Sequence, residues 1–301
     1  MRAPALLTFV LASFVFAAGC DDKKDATADG GKAVAGKADG GKAEPGKADG
    51  GKAEPGGDDA AVAGLPSAET LLAKAVEAQG GKAKVDALES LHLEGTVAVS
   101  GQNITGDMKL WWKNGDFYSE QTMVGIGTVR AGKQGDVSWS EDPISGLRKL
   151  TGVEAEQQAW ASSPSLPAQW QRYFETAKTV GERDLDGKKV FDVELAAKSG
   201  TKVTLSFDAT SGLQVAHAFS QASPLGDTPV SVKLEDYREV DGFKLPYQQV
   251  MDISIAKATQ TLTVVEFNVP VDGTKFAMPT GGAEAVQPTK AAPDGAVAPA
   301  P

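Results

Sequence analysis

The chain has 301 residues, with 30 Lys and Arg against 40 Asp and Glu, for a net charge of −10. An acidic balance excludes a general affinity for nucleic-acid phosphates, which requires a basic face. One Cys and two His leave nothing for a disulfide framework or a structural zinc site.

In chain order, Arg2 precedes an apolar run from Ala5 to Phe16, followed by the small residues Ala17, Ala18 and Gly19 before Cys20. That run is too short to cross the roughly 30 Å of bilayer hydrocarbon, which takes about 20 apolar residues. Residues 1–19 therefore read as a secretory signal. Ala17-Ala18-Gly19-Cys20 resembles a bacterial lipobox, and the resemblance implies that Cys20 becomes a lipid-bearing N-terminus. An anchor of two or three acyl chains, at about 0.8 kcal/mol per buried methylene, would be effectively permanent. The protein is then expected in the bacterial cell envelope, facing the periplasm. Asp21 resembles a retention signal for the inner membrane, but the rule differs between bacterial groups and the choice of membrane stays open.

Residues 20–65 are expected to form a tether. From Asp21 to Leu65 there is no aromatic residue, and Gly36–Pro45 and Gly46–Pro55 are two copies of GKADGGKAEP. Such a stretch buries too little apolar surface to offset its ordering entropy, and as a Gly-rich coil it would span roughly 35 to 40 Å. Residues 281–301, rich in Ala, Pro and Gly, read as a disordered tail. Between them, residues 66–280 hold all 5 Trp and all 4 Tyr, which suits one domain.

Within that domain Ser67 is a candidate N-cap for a helix carrying Leu71, Leu72, Ala75, Val76 and Gln79 on one face and ending at Gly80-Gly81. A short helical stretch follows over Lys82 to Glu89. The period then changes to alternation: Leu91/Leu93/Val97/Val99, Ile104/Met108/Leu110/Trp112, Phe191/Val193/Leu195, Val203/Leu205/Phe207, Leu213/Val215/Phe219 and Val230/Val232/Leu234. Turn signals at Asp186-Gly187, Ser199-Gly200, Ser211-Gly212, Asp241-Gly242 and Asp272-Gly273 make the connections short, so neighbouring strands run antiparallel. Val153 to Phe174 breaks the alternation with helix formers, Pro164, Pro167, Trp160 and Trp170, and reads as a helical insertion packing on one face of the sheet. The expected class is α+β: a curved antiparallel meander with an N-terminal helix and a mid-chain helical insertion.

Several strings carry a resemblance. LLAKAVEAQGGKAKVDALESL (Leu71 to Leu91), FDATSGL (Phe207 to Leu213), VDGFKLP (Val240 to Pro246), FNVP (Phe267 to Pro270) and FAMP (Phe276 to Pro279) resemble the outer-membrane lipoprotein-sorting-protein-like (LolA/LolB-like) superfamily over most of residues 68–279. The resemblance implies an incomplete antiparallel β-barrel with helices on its concave side. In the best-known members it also implies a hydrophobic cavity for lipoprotein acyl chains. No cavity residue of the sorting factors can be matched to a position here.

No nucleophile elbow, phosphate loop or metalloprotease motif is present, so no catalytic residue, cofactor or metal is expected. The acid pairs Glu141-Asp142 and Glu235-Asp236 read as solvated residues at turns or strand ends. His92 reads as solvent-facing and His217 as pointing with an apolar row, either a core histidine or a ligand to a polar headgroup. Consecutive Trp111 and Trp112 face opposite sides of a strand, leaving one to line a cavity, mark a patch, or sit half-exposed or under a helix. Two functions follow. One is a carrier of a lipid or lipoprotein acyl chain, its cavity lined by some of Met108, Leu110, Trp112, Phe191, Val193, Leu205, Phe207 and Phe219, with His217 at the polar end. The other is a monomeric envelope module that binds a protein partner through its sheet, around Trp111, Tyr118 or the Ile144/Leu147 loop. Gly125-Ile126-Gly127 reads as a tight turn.

Overall fold

A computed structural model describes residues 64–224, 226–253 and 256–280. The signal, Cys20, all but the end of the tether, and the tail lie outside the described residues. No helix among the described residues is long and apolar enough to cross a membrane.

The protein is α+β, with one large, curved, unclosed antiparallel sheet of 13 strands and a few short helices. Helix α1 (Ala68–Gln79) starts at Ser67, whose hydroxyl accepts from the Thr70 amide, and buries Leu71, Leu72, Ala75, Val76 and Gln79. It stops at Gly80, at φ +134°, where a Cβ would lie 2.4 Å from the Gly242 carbonyl oxygen. Only glycine allows both that backbone and that approach. Helix α2 (Lys82–Asp86) is shorter than the expected stretch.

Strands β1 (Ser90–Val99), β2 (Ile104–Lys113), β3 (Asp116–Met123), β4 (Gly127–Gln134), β5 (Val137–Asp142) and β6 (Gly146–Lys149) form one wing of hairpins. Residues 124–126 are the β3–β4 turn, as expected of Gly125-Ile126-Gly127. The other wing is β7 (Thr176–Leu185), β8 (Lys188–Ala196), β9 (Lys202–Asp208), β10 (Gln214–Gln221), β11 (Thr228–Val240), β12 (Phe243–Asp252) and β13 (Lys257–Phe267). The strand order is β6-β5-β4-β3-β2-β1-β13-β12-β11-β10-β9-β8-β7, so the first and last strands pair and join the wings. The free edges are β6 and β7. The insertion connecting them, α3 (Gly152–Ala161) and α4 (Leu166–Tyr173), therefore spans the gap that keeps the barrel open.

One face of the sheet is the interior. Register places Leu93, Leu110, Ser119, Ala131 and Ser140 in a row across β1 to β5, and Val99, Ala258, Met251, Val232, His217 and Leu205 in a row across β1, β13, β12, β11, β10 and β9. A register shift between Gln214 and Ala216 corrects the alternation expected for β10. Leu213 and Val215 are half-exposed, Gln214 is buried, and only from His217 onward does the expected parity hold.

Candidate functional site

Of the nine residues expected to line a cavity, Met108, Leu110 and Trp112 on β2, Val193 on β8, Leu205 and Phe207 on β9, and His217 and Phe219 on β10 are buried. Phe191 is half-buried, with the Lys189 ammonium 5.4 Å from its ring centroid. The set divides between two walls. Met108, Leu110 and Trp112 belong to one, the rest to the other, and β1, β13, β12 and β11 lie between them in the sheet.

The interior is not uniformly apolar. Both amide atoms of Gln121, Nε2 of Gln260, Nε2 of His217 and the indole Nε1 of Trp160 are buried without a hydrogen-bond partner. A buried polar group without a partner costs about 1 to 3 kcal/mol. The histidine's tautomer follows from its neighbour: the Gln214 amide nitrogen, which also faces the Ala216 carbonyl at 3.5 Å, lies 3.3 Å from His217 Nδ1. An NH₂ group can only donate, so Nδ1 accepts and Nε2 carries the ring proton. Burial alone pulls the His217 pKa down to about 3, so the ring is neutral at pH 7.

Helix α3 closes this interior. Trp160 meets Phe219 edge-on at 5.2 Å and Phe174 at 6.0 Å, and the His217 ring lies 6.3 Å from the Phe219 centroid. Two consecutive glutamines tie the helix to both wings. The Gln157 side chain donates to the Ser220 carbonyl at 2.6 Å and accepts from the Ala222 amide at 2.9 Å, while Gln158 donates to the Trp139 carbonyl at 3.0 Å. Beside this contact is a groove of about 880 Å³, with Val153 and Gln157 of α3, Phe219 and Val230 among its walls. A second groove, of about 520 Å³, carries both signs of charge: Lys133 and Arg172 with Asp116, Asp136 and Glu156. Burial lowers the Lys133 pKa, a weak basis for an anion site beside three carboxylates.

The opposite face of β1 to β5 carries an aromatic row that sequence reasoning saw only as Trp111 and Tyr118. His92 stacks on Trp111 at 4.9 Å, Trp111 meets Tyr118 at 5.9 Å and Tyr118 meets Trp139 at 6.1 Å. Gly132 separates the last two, because a Cβ there would lie 2.6 Å from the Trp139 ring. The segment after β13 covers the row. Phe276, in the 3₁₀ turn Gly273–Phe276, is buried and its carbonyl accepts from the Trp139 indole at 3.0 Å, while the Lys275 ammonium sits 3.7 Å from the Trp111 centroid. Trp111 and Tyr118 therefore form no open patch; Ile144, 59% exposed, does face solvent.

Three sequence expectations are corrected by the structure. The His92 side chain is 15% exposed rather than solvent-facing, with its Nδ1 2.7 Å from Glu266. Glu141 and Asp142 are buried: Arg130 reaches Glu141 at 3.2 Å, and Asp142 accepts from the turn amides of Ile144 and Ser145. Glu235 and Asp236 are exposed but lie within β11, with Asp236 at φ +52° and paired to Arg238. Among the described residues no group of three or more His, Cys, Asp or Glu is placed to hold a metal ion.

No family model and no curated protein matches the chain. Solved structures do. A DUF1329 family protein from Desulfovibrio piger is 14% identical, covering 70% of this chain and 97% of its own, with a TM-score of 0.48. A LolA superfamily protein from Nitrosomonas europaea is 14% identical, covering 71% and 98%, with a TM-score of 0.47. The likeness is one of fold. The lipoprotein LppX of Mycobacterium tuberculosis is more distant, at 15% identity, 67% and 97% coverage and a TM-score of 0.28.

Proposed function

We propose that this protein is a lipid-anchored lipoprotein of the bacterial envelope, held through Cys20 and the residue 20–65 tether, that takes an apolar ligand into its half-barrel. The ligand class is a lipid or the acyl chain of a lipoprotein, and the role is binding without catalysis. The observation that carries the reading is the composition of the interior. Rows of Leu, Val, Met and aromatic side chains enclose neutral polar atoms, the Gln121 amide, Gln260 Nε2, His217 Nε2 and Trp160 Nε1, that make no hydrogen bond within the protein. A core built only for stability has no use for four such residues, because each lowers stability unless something other than the protein pairs with it. An amphiphile supplies both the apolar surface and the polar partner.

The test is titration of the full chain with pyrenyl-decanol, a neutral fluorescent alkyl probe. The expected result is saturation at one probe per chain, with energy transfer from tryptophan that weakens in Trp112→Phe. Absence of saturable uptake contradicts the reading and leaves a tethered interaction module.

A further inference from the structure

The burial of Lys133 is by itself a weak basis for an anion site, but in the 520 Å³ groove a second cation stands beside it. The two meet at one turn glycine. Gly115, between β2 and β3 at φ +96°, accepts from the Lys133 ammonium at 3.2 Å through its carbonyl, and a Cβ built on it would lie 3.8 Å from both terminal nitrogens of Arg172, near the end of α4. The bare glycine therefore leaves open the space in front of the guanidinium fork. Among the described residues Arg172 has no ion pair, and Lys133 has only Asp116 at 3.9 Å, whose same oxygen already accepts the Gly135 amide at 2.8 Å. Burial lowers the Lys133 pKa, Asp116 opposes that shift and Arg172 adds to it, as a like charge at close quarters does.

Two further carboxylates line the groove, Asp136 in the β4–β5 turn and Glu156 of α3. Among the described residues neither forms an ion pair; Glu156 accepts from the Ser199 hydroxyl at 2.7 Å. This balance of charge defines the occupant. A phosphate monoester, with close to two negative charges, is repelled by three carboxylates, and a simple cation is repelled by Lys133 and Arg172. A molecule with one oxyanion and one ammonium answers both sets. A phosphodiester offers its two free oxygens to two separate cations, one of them a guanidinium fork suited to such oxygens. The volume is that of a small-ligand site, about 300 to 1,000 Å³. We infer that this groove binds the zwitterionic headgroup of an ethanolamine phospholipid, with Lys133 and Arg172 on the phosphodiester and Asp136 and Glu156 on the ammonium. The groove shares no residue with the set Gln121, Gln260, His217 and Trp160, so the inference stands or falls apart from the apolar-ligand reading.

The experiment titrates the full chain, labelled with nitrogen-15, with three soluble probes and follows the Gly115 and Gly135 amide resonances. Glycerophosphoethanolamine is expected to shift both saturably. Glycerophosphoglycerol keeps the diester without the ammonium, and glycine keeps both charges without the diester. Each should bind about ten-fold more weakly, the size of one charge-assisted hydrogen bond. Arg172→Gln, at an exposed position with no ion pair to lose, should weaken glycerophosphoethanolamine by about ten-fold. Asp136→Asn should narrow the gap between the two diesters to about three-fold or less, because it removes an attraction for one and a repulsion for the other. No saturable shift at these amides, equal binding of the two diesters, glycine binding as well as glycerophosphoethanolamine, or an unchanged affinity in Arg172→Gln would each overturn the inference. Uptake of the pyrenyl probe is scored separately, and its failure would count against the interior alone.

Discussion

Replacing His217 by Phe should change how stability responds to acid. In the unfolded chain this imidazole takes its proton near its ordinary pKa of 6.5, whereas in the folded protein burial holds the value at about 3. Between those limits the unfolded state binds the extra proton, so stability rises with pH; the contribution is complete above 6.5 and is lost as pH falls toward 3. One proton removes about 1.4 kcal/mol per pH unit below 6.5, so a step from pH 7.5 to 5.0 costs about 2 kcal/mol through His217 alone. Carboxylates whose pKa values are lowered, such as Glu120 and Asp208, act in the same direction, but they start from ordinary values of 4.5 and 3.8 and titrate mostly below this window. His92 is present in both proteins and drops out of the comparison. Urea unfolding of wild type and His217→Phe, followed by tryptophan fluorescence at pH 7.5 and 5.0, reads the difference. With a slope near 2 kcal/mol per molar urea, the wild-type midpoint should fall by about 1 M more than that of the variant. Equal losses in the two proteins would refute the picture of a neutral histidine sealed in the interior.

Other predictions follow from contacts that hold the half-barrel together. Gln157→Ala strands the Ser220 carbonyl and the Ala222 amide, so it should cost about 1 to 3 kcal/mol and speed hydrogen exchange at Ala222 without affecting β1 and β2; unchanged protection at Ala222 would show that α3 does not clamp β10. Phe276→Ala, which removes a ring that is 2% exposed, should cost about 3 to 5 kcal/mol in a thermal melt and should raise acrylamide quenching of Trp111 and Trp139. An unaltered melt and quenching curve would show that the segment after β13 does not cover the row. Gly132→Ala pushes a methyl into the Trp139 indole, at 2.6 Å, and should cost about 1 to 3 kcal/mol, whereas Gly135→Ala, where nothing lies within 4 Å, should lack that clash. Its φ of +56° still makes Gly135→Ala a strained change, so the comparison is read in the Trp139 fluorescence as well as in the melt.

How much of this was legible in the sequence depended on how far each strand's inward residues are apolar. Strands β1, β2, β8, β9 and β11 declare themselves because Leu93, Met108, Val193, Leu205 and Val232 alternate cleanly with polar neighbours. Strands β3 to β5 stayed hidden for the reason that makes the interior interesting: their inward positions include Ser119, Gln121, Ser138 and Ser140, which hydrophobic periodicity scores as solvent-facing. The bulge at Gln214–Ala216 misled the count on β10, since one extra residue moves every earlier side chain to the other face. Pairing of β1 with β13 and covering of the aromatic row by Phe276 join residues far apart in the chain, and no local pattern encodes either. The same blindness extends to the site. Met108, Leu110, Trp112, Leu205, Phe207 and Phe219 could be chosen as apolar residues of strands, but the packing of Trp160 on Phe219, which also touches His217, needs the helix in place.

The central claim is that the half-barrel takes up a lipid, and native mass spectrometry of the full chain purified from a bacterial host, with organic extraction of what co-purifies, measures it directly. The account predicts one acyl-chain-bearing molecule per protein, retained on mild ionisation and depleted in His217→Phe. A protein that runs at its bare polypeptide mass, with covalent acyl groups on Cys20 as its only lipid, and takes up no monooleoylglycerol when offered, would contradict it.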